Sequence, residues 1–224
     1  MQDFFHIHKG WRDPVPGLSR VFLLITAALL LEYTAVLIRN QAPQVPPAVL
    51  LTILRTVETM VFLSLGPWSL RNLFTSEVLT ESLLLAVICS LAGILFLVGW
   101  KWVLDSSFLS SGSNMFRQPM VIPILFYTTA CIISPIAEEL LFRGLLYRKM
   151  REKWGFVVCT LAVSMLFALI HFSLLGSIMS VLMPFMGSLL FCAGYEKTKS
   201  ILTPVLLHIC GNSIIYLSPL ISFV

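Results

Sequence analysis

Charge is what this sequence has least of. Asp, Glu, Lys and Arg make up 12% of the 224 residues, about half the share of a typical soluble domain, while 58% are hydrophobic and the mean hydropathy is +0.92. Such a chain cannot clothe a water-facing surface in polar side chains, which excludes an ordinary soluble globule. Aspartate is scarcer still: Asp3, Asp13 and Asp105 all lie outside the apolar runs, so no pair of intramembrane aspartates exists. Neither H-E-x-x-H nor G-x-S-x-G occurs, which removes those zinc-protease and serine-hydrolase patterns. The five cysteines, Cys89, Cys131, Cys159, Cys192 and Cys210, are odd in number, sit in apolar runs and lack C-x-x-C spacing. A disulfide framework and a zinc-thiolate site are therefore not expected.

What is present is a series of apolar runs. About 20 residues at 1.5 Å per residue cross the ~30 Å hydrocarbon core of a bilayer. Such runs extend over Leu18 to Ile38, Ala48 to Leu65, Glu81 to Leu104, from near Met120, Phe156 to Leu175, Ser177 to Ala193, and Ile201 to about Pro219. The sequence thus predicts an all-α, polytopic integral membrane bundle of about seven helices, with six or eight as the alternatives, forming a single membrane domain over 1–224. The first run is too long for a signal-peptide core and no small-residue cleavage site follows it, so it reads as a retained span. Ahead of it, Phe4, Phe5, Lys9 and Trp11 mix aromatic and basic types as a segment at the membrane surface does. Asp105 to Pro119, rich in Ser, reads as an exposed loop.

The basic residues set an orientation, because positively charged loops stay on the cytoplasmic side. A cytoplasmic N-terminus puts Lys9, Arg12, Arg20, Arg71, the Arg148 to Lys153 loop, Lys197 and Lys199 on that side, and leaves chiefly Arg39, Arg117 and Lys101 opposite. The net charge of +4 is thereby spread over short loops. Membrane lipids are expected partners; a nucleic acid is not.

Ionisable groups within spanning helices are costly and ask for a partner or a function. Glu32, Arg55 and Glu58 suit a structural charge cluster, the last two being i, i+3 neighbours. The segment Glu138-Glu139-Leu140-Leu141-Phe142-Arg143 differs, because adjacent carboxylates point about 100° apart on a helix. Glu139 and Arg143 are spaced i, i+4 with the acid first, the favourable ion-pair order. Glu138 is left unpaired on its own helix, as befits a general base. If the fourth and fifth runs form an antiparallel hairpin, the midpoint between 138 and 171 falls at Trp154 and Gly155, where the turn signal stands, so Glu138 and His171 can meet. Phe167, one turn before His171, can pack on its ring. His208 and Asn212, also i, i+4, share a face of the last run. They could line an oxyanion pocket or form an interhelical hydrogen bond.

The ordered set Glu138-Glu139-x-x-x-Arg143, Phe167-x-x-x-His171 and His208-x-x-x-Asn212 resembles the three motifs of the CAAX prenyl protease and bacteriocin-processing family of membrane proteins. The resemblance covers Ile122 to Asn212 and implies a protease core at roughly 120–218 within a helical membrane fold. It implies an intramembrane endopeptidase acting on membrane-associated or lipidated peptides, without a covalent intermediate. Glu138 would be the general base, His171 its partner, and His208 with Asn212 the oxyanion donors; Glu139, Arg143 and Phe167 would support them. Two His and a Glu could in principle ligate zinc, but Asn is a poor zinc ligand, and the implied glutamate mechanism uses no metal or other cofactor. The competing class is a non-catalytic membrane protein, such as an immunity, scaffold or transporter-like protein, whose buried polar residues bind a partner. One departure stands out: in Gly194 to Ser200, Lys199 occupies a place where a Gly is expected.

Overall fold

The computed structural model describes residues 17–65, 76–103, 119–175 and 179–221. The N-terminal surface segment and nearly all of the Asp105 to Pro119 loop lie outside the described residues. Among the described residues the chain forms seven helices and no strand. They are α1 (Leu18–Gln41), α2 (Pro47–Leu65), α3 (Ser76–Val103), α4 (Val121–Arg151), α5 (Phe156–Leu175), α6 (Met179–Thr198) and α7 (Leu202–Ile221). The runs predicted from sequence match them in order, although α3 starts at Ser76, ahead of the expected Glu81. Leu18–Gln41, Pro47–Ser64, Ser76–Leu95 and Val121–Arg151 are long and apolar enough to cross a membrane. The protein is an all-α polytopic membrane bundle.

Polarity is arranged for lipid. Leu29, Leu95, Leu169 and Leu190 are exposed on the outer surface, whereas Glu139, Arg143 and Arg148 are buried. With no water outside to drive apolar residues inward, helices in such a bundle are joined by close packing and interhelical hydrogen bonds. The Oγ atoms of Ser82, Thr203 and Thr198 form a buried chain, with Ser82 2.7 Å from Thr203 and Thr203 2.6 Å from Thr198. It ties α3, α7 and α6 together. Thr52 of α2 meets Thr129 of α4 at 2.7 Å, hydroxyl to hydroxyl. The expected Glu32, Arg55 and Glu58 cluster forms across α1 and α2, with Arg55 2.8 Å from Glu32 and 2.5 Å from Glu58.

The path of α4 positions the site. Pro135 has no N–H to give and its ring crowds the carbonyl one turn back. The helix widens just before it, over Thr129–Ile133, into a π turn. A second π stretch, Leu140–Tyr147, carries Gly144. The helix does continue past Arg143, as the hairpin requires, but in widened turns. Glu138 and Glu139 sit at the end of the short α segment Ser134–Glu139, between two π stretches of the kind that recur at functional sites. The turn into α5 runs through Trp154 and Gly155, where the sequence signals it.

Between α6 and α7 the chain closes tightly. A Cβ on Gly194 would lie 2.9 Å from Leu207 Cδ1 and 3.1 Å from Thr203 Cγ2. Lys199 has φ 54°, the left-handed conformation that suits a glycine after a helix end. The turn thus keeps the geometry expected of Gly with a lysine in its place. The Lys199 ammonium lies 2.6 Å from Glu196, which also receives Arg151 Nη2 at 2.9 Å and Tyr147 Oη at 2.8 Å.

Candidate active site

Four of the buried polar side chains, Glu139, Arg143, Ser188 and His208, form a connected chain. It starts on α4, where Arg143 Nη1 donates to Glu139 Oε1 at 2.9 Å; both side chains are fully buried. Arg143 Nη2 donates to Ser188 of α6, at 3.1 Å to its carbonyl oxygen and 2.5 Å to its hydroxyl. Burying an ion pair costs desolvation that only good geometry and further hydrogen bonds offset, and the Ser188 contacts supply them. Glu139 Oε1 also lies 2.8 Å from Nδ1 of His208. Since Arg143 already fixes Glu139 as an acceptor, Nδ1 is the donating nitrogen. His208 Nε2 then faces Glu138, 3.8 Å from Oε2.

Aromatic rings wall this chain. Phe191 stacks on the His208 ring at 4.7 Å, and Phe167 meets its other neighbours edge-on, 5.7 Å from His208 and 5.0 Å from Phe142. The Arg143 guanidinium lies 5.0 Å from the Phe167 centroid and 5.2 Å from that of Phe191, both within cation–π range. Phe167 also packs on His171 at 4.6 Å. The His171 Nδ1 lies 2.7 Å from the Phe167 carbonyl. A carbonyl only accepts, so Nδ1 carries the proton and a neutral ring keeps its lone pair on Nε2.

Glu138, Glu139, Arg143, Phe167 and His208 are linked directly or through one neighbour, and His171 joins them through Phe167. Among the described residues, the imidazole within ion-pair distance of Glu138 belongs to His208, whereas the hairpin argument pointed to His171. Asn212 donates from Nδ2 to the Ala130 carbonyl at 2.9 Å. Ala130 lies in the first π stretch, where the normal helical partner of a carbonyl is displaced. Asn212 therefore joins α7 to the widened turn one stretch above Glu138.

Two contributors escaped the sequence reading. Ser188 and Phe191 lie in an apolar run with no motif around them; Ser188 is one of three serines in that run, and nothing in the sequence sets it apart. Arg55 and Glu58 of α2 were read as structural, yet both interact electrostatically with Glu138. Among the described residues, no group of three or more His, Cys, Asp and Glu side chains is placed to hold a metal ion.

Residues 120–214 match the family model described as type II CAAX prenyl endopeptidase Rce1-like. Over this stretch, which is under half of the chain, the sequence is similar to the CAAX prenyl protease and bacteriocin-processing family. It is also similar to the candidate membrane peptidase YdiL of Bacillus subtilis (strain 168), 27% identical over 99 residues, or 44% of this chain and 38% of that relative. The likeness thus spans well under half the relative's length. No solved structure matches. The region shared with the CAAX-protease family holds all of Glu138, Glu139, Arg143, Phe167, His171, His208 and Asn212. It leaves out α1, α2 and α3, and with them Arg55 and Glu58.

Proposed function

We propose that this protein is an intramembrane endopeptidase that hydrolyses membrane-associated or lipidated peptides by means of a glutamate-activated water. The observation that carries the reading is the contact of His208 with both adjacent carboxylates, buried among helices of a CAAX-protease domain. One carboxylate, Glu139, is committed to Arg143 and to holding His208. The other, Glu138, is free of partners on its own helix and is 16% exposed, so a water can reach it.

In this mechanism Glu138 removes a proton from water as the oxygen attacks the scissile carbonyl carbon. The carbonyl π pair moves onto oxygen, giving a tetrahedral oxyanion. Donors aimed at that oxygen lower the barrier because they are already oriented in a site shielded from solvent. His208, with both nitrogens protonated, donates from Nε2 while Nδ1 stays on Glu139, and Asn212 offers the second hydrogen of its amide. The C–N bond then breaks and Glu138 returns the proton to the leaving amine, so the products are a carboxylic acid and an amine. His171, with its Nε2 lone pair, accepts a hydrogen bond from the attacking water and orients it. No step draws on a metal or cofactor.

The peptide substrate enters from the lipid phase, and the N-terminus with the Arg148 to Lys153 turn faces the cytoplasm, following the distribution of basic loops. The test is Glu138→Gln in purified protein in detergent or liposomes. Loss of peptide cleavage with an unchanged melting profile supports the reading. Full activity in that variant overturns it, and points to a protein whose polar core binds a partner without chemistry. Cleavage that persists in metal-free buffer with 1,10-phenanthroline is the second expectation; loss that added zinc restores would replace the glutamate mechanism with a metal one.

A further inference from the structure

The cluster on α1 and α2 lies beside the candidate active site, outside the region that matches the family. We propose that Arg55 is a positioning residue for Glu138, reaching the site from α2. This rests on the reading of Glu138 as the base.

Thr52 of α2 is hydrogen-bonded to Thr129 of α4 at 2.7 Å, and α2 packs along α4 from there over the segment Ser134–Glu139. Arg55 stands one helical turn beyond Thr52 and Glu58 one turn beyond Arg55, towards Glu138. Glu58 is buried, and Arg55 is four-fifths buried. Arg55 is clamped at both ends of its guanidinium, Nη1 on Glu58 at 2.5 Å and Nη2 on Glu32 at 2.8 Å. Its Nε is buried without a hydrogen-bond partner.

The charge balance gives this arrangement its role. Glu138 interacts electrostatically with Arg55 and Glu58, and through them shares a cluster with Glu32 of α1. From α7, His208 Nε2 lies 3.8 Å from it and Tyr216 is near enough to feel its charge; on α4 its neighbour is Glu139; His171 of α5 stands beyond Phe167. Arg143, the buried cation one turn along α4 from Glu139, is spent on Glu139 and Ser188. Like charges repel strongly where water is scarce, so Glu58 would push the Glu138 carboxylate away from α2 and towards His208. Arg55 opposes that push. It is held rigidly enough, by two carboxylates on two helices, to fix where Glu138 rests.

Such a residue acts on the chemical step and leaves substrate binding alone. Misplacing a reacting group by about 1 Å can cost about 100-fold in rate. Arg55→Gln in the full-length protein, assayed on a cleaved peptide, is expected to lower kcat by about 10- to 100-fold with KM within about twofold. Arg55→Lys, which keeps the charge without the two-ended clamp, should recover part of that loss. Since Arg55→Gln strands Glu58, the pair Arg55→Gln with Glu58→Gln removes both charges at nearly constant size and is read by the same criterion. The proposal is overturned if the folded variants keep wild-type kcat, if KM alone rises, or if only misfolded protein is obtained with both charges removed. Unchanged kcat at Arg55 together with an inactive Glu138→Gln would leave the peptidase reading standing and remove Arg55 from it. An active Glu138→Gln removes both.

Discussion

His208 touches both members of an adjacent carboxylate pair, with Nδ1 2.8 Å from Glu139 and Nε2 3.8 Å from Glu138. Adjacent residues on a helix point in different directions, so one side chain can reach both only by lying across them from another helix. The imidazole does this edge-on, one nitrogen to each. On the proposed mechanism the pair is thereby divided into an orienting acid and a reacting one.

The orienting acid can be tested by itself. Glu139→Gln keeps the shape but replaces a carboxylate that accepts from both Arg143 and His208 with a neutral amide. The His208 Nδ1–H then keeps at best a neutral, weaker acceptor, shared with Arg143, in place of the carboxylate that fixed it. Peptide cleavage is expected to fall by about 100-fold or more, in line with the loss of a group that orients an imidazole. Steady-state kinetics on the purified variant check it; a loss below about threefold would contradict the division of roles.

Arg143→Ala is expected to act on the fold. Removing the guanidinium leaves Glu139 buried with its charge opposed only by a histidine, and takes both hydrogen bonds from Ser188. Breaking a buried pair in this way costs about 3 to 5 kcal/mol. Low yield of folded protein and a lowered melting temperature in detergent are the expected readouts. A stable, inactive protein would show instead that Arg143 acts in the chemistry.

Gly194→Ala probes the α6 to α7 approach. The new methyl would meet Thr203 Cγ2 at 3.1 Å and Leu207 Cδ1 at 2.9 Å. Leu207 can turn its tip aside, but Thr203 is held by its hydroxyl contacts with Ser82 and Thr198. Overpacking of this kind costs about 1 to 3 kcal/mol, measurable as a drop in melting temperature. An unchanged or raised melting temperature would mean that the two helices separate freely.

Glu196 gives the protein an acid-sensitive contact beyond the apolar run that ends at Ala193. Burial pushes its carboxyl up, but hydrogen bonds from Arg151, Lys199 and Tyr147 outweigh this and hold it down at about 2, from an ordinary 4.5. A depressed carboxylate contributes stability that is complete above its ordinary value and lost as the pH falls through its folded one. Stability should therefore decline between about pH 4.5 and 2. Glu196→Gln should be less stable at neutral pH and show a shallower decline over that window, as followed by thermal melts in detergent.

The sequence by itself determined what depends on near neighbours and on the count of apolar atoms. Run length against bilayer thickness gave the seven helices, and helical periodicity gave the Glu139 to Arg143 and Arg55 to Glu58 pairs, since partners three or four residues apart share a face in any helix. Only the tertiary structure decided which helices face one another. It brought His208, rather than His171, to within ion-pair distance of Glu138, set Asn212 on the Ala130 carbonyl, and enlisted Ser188, Phe191 and Arg55. Those contacts span 45 to 82 residues of chain in the cases of Ser188 and Asn212. They depend on two π stretches whose extra residues rotate everything that follows. A periodicity of about 3.6 residues carries no record of such a rotation, so the face that Glu138 presents became legible only once α4 was packed among its neighbours.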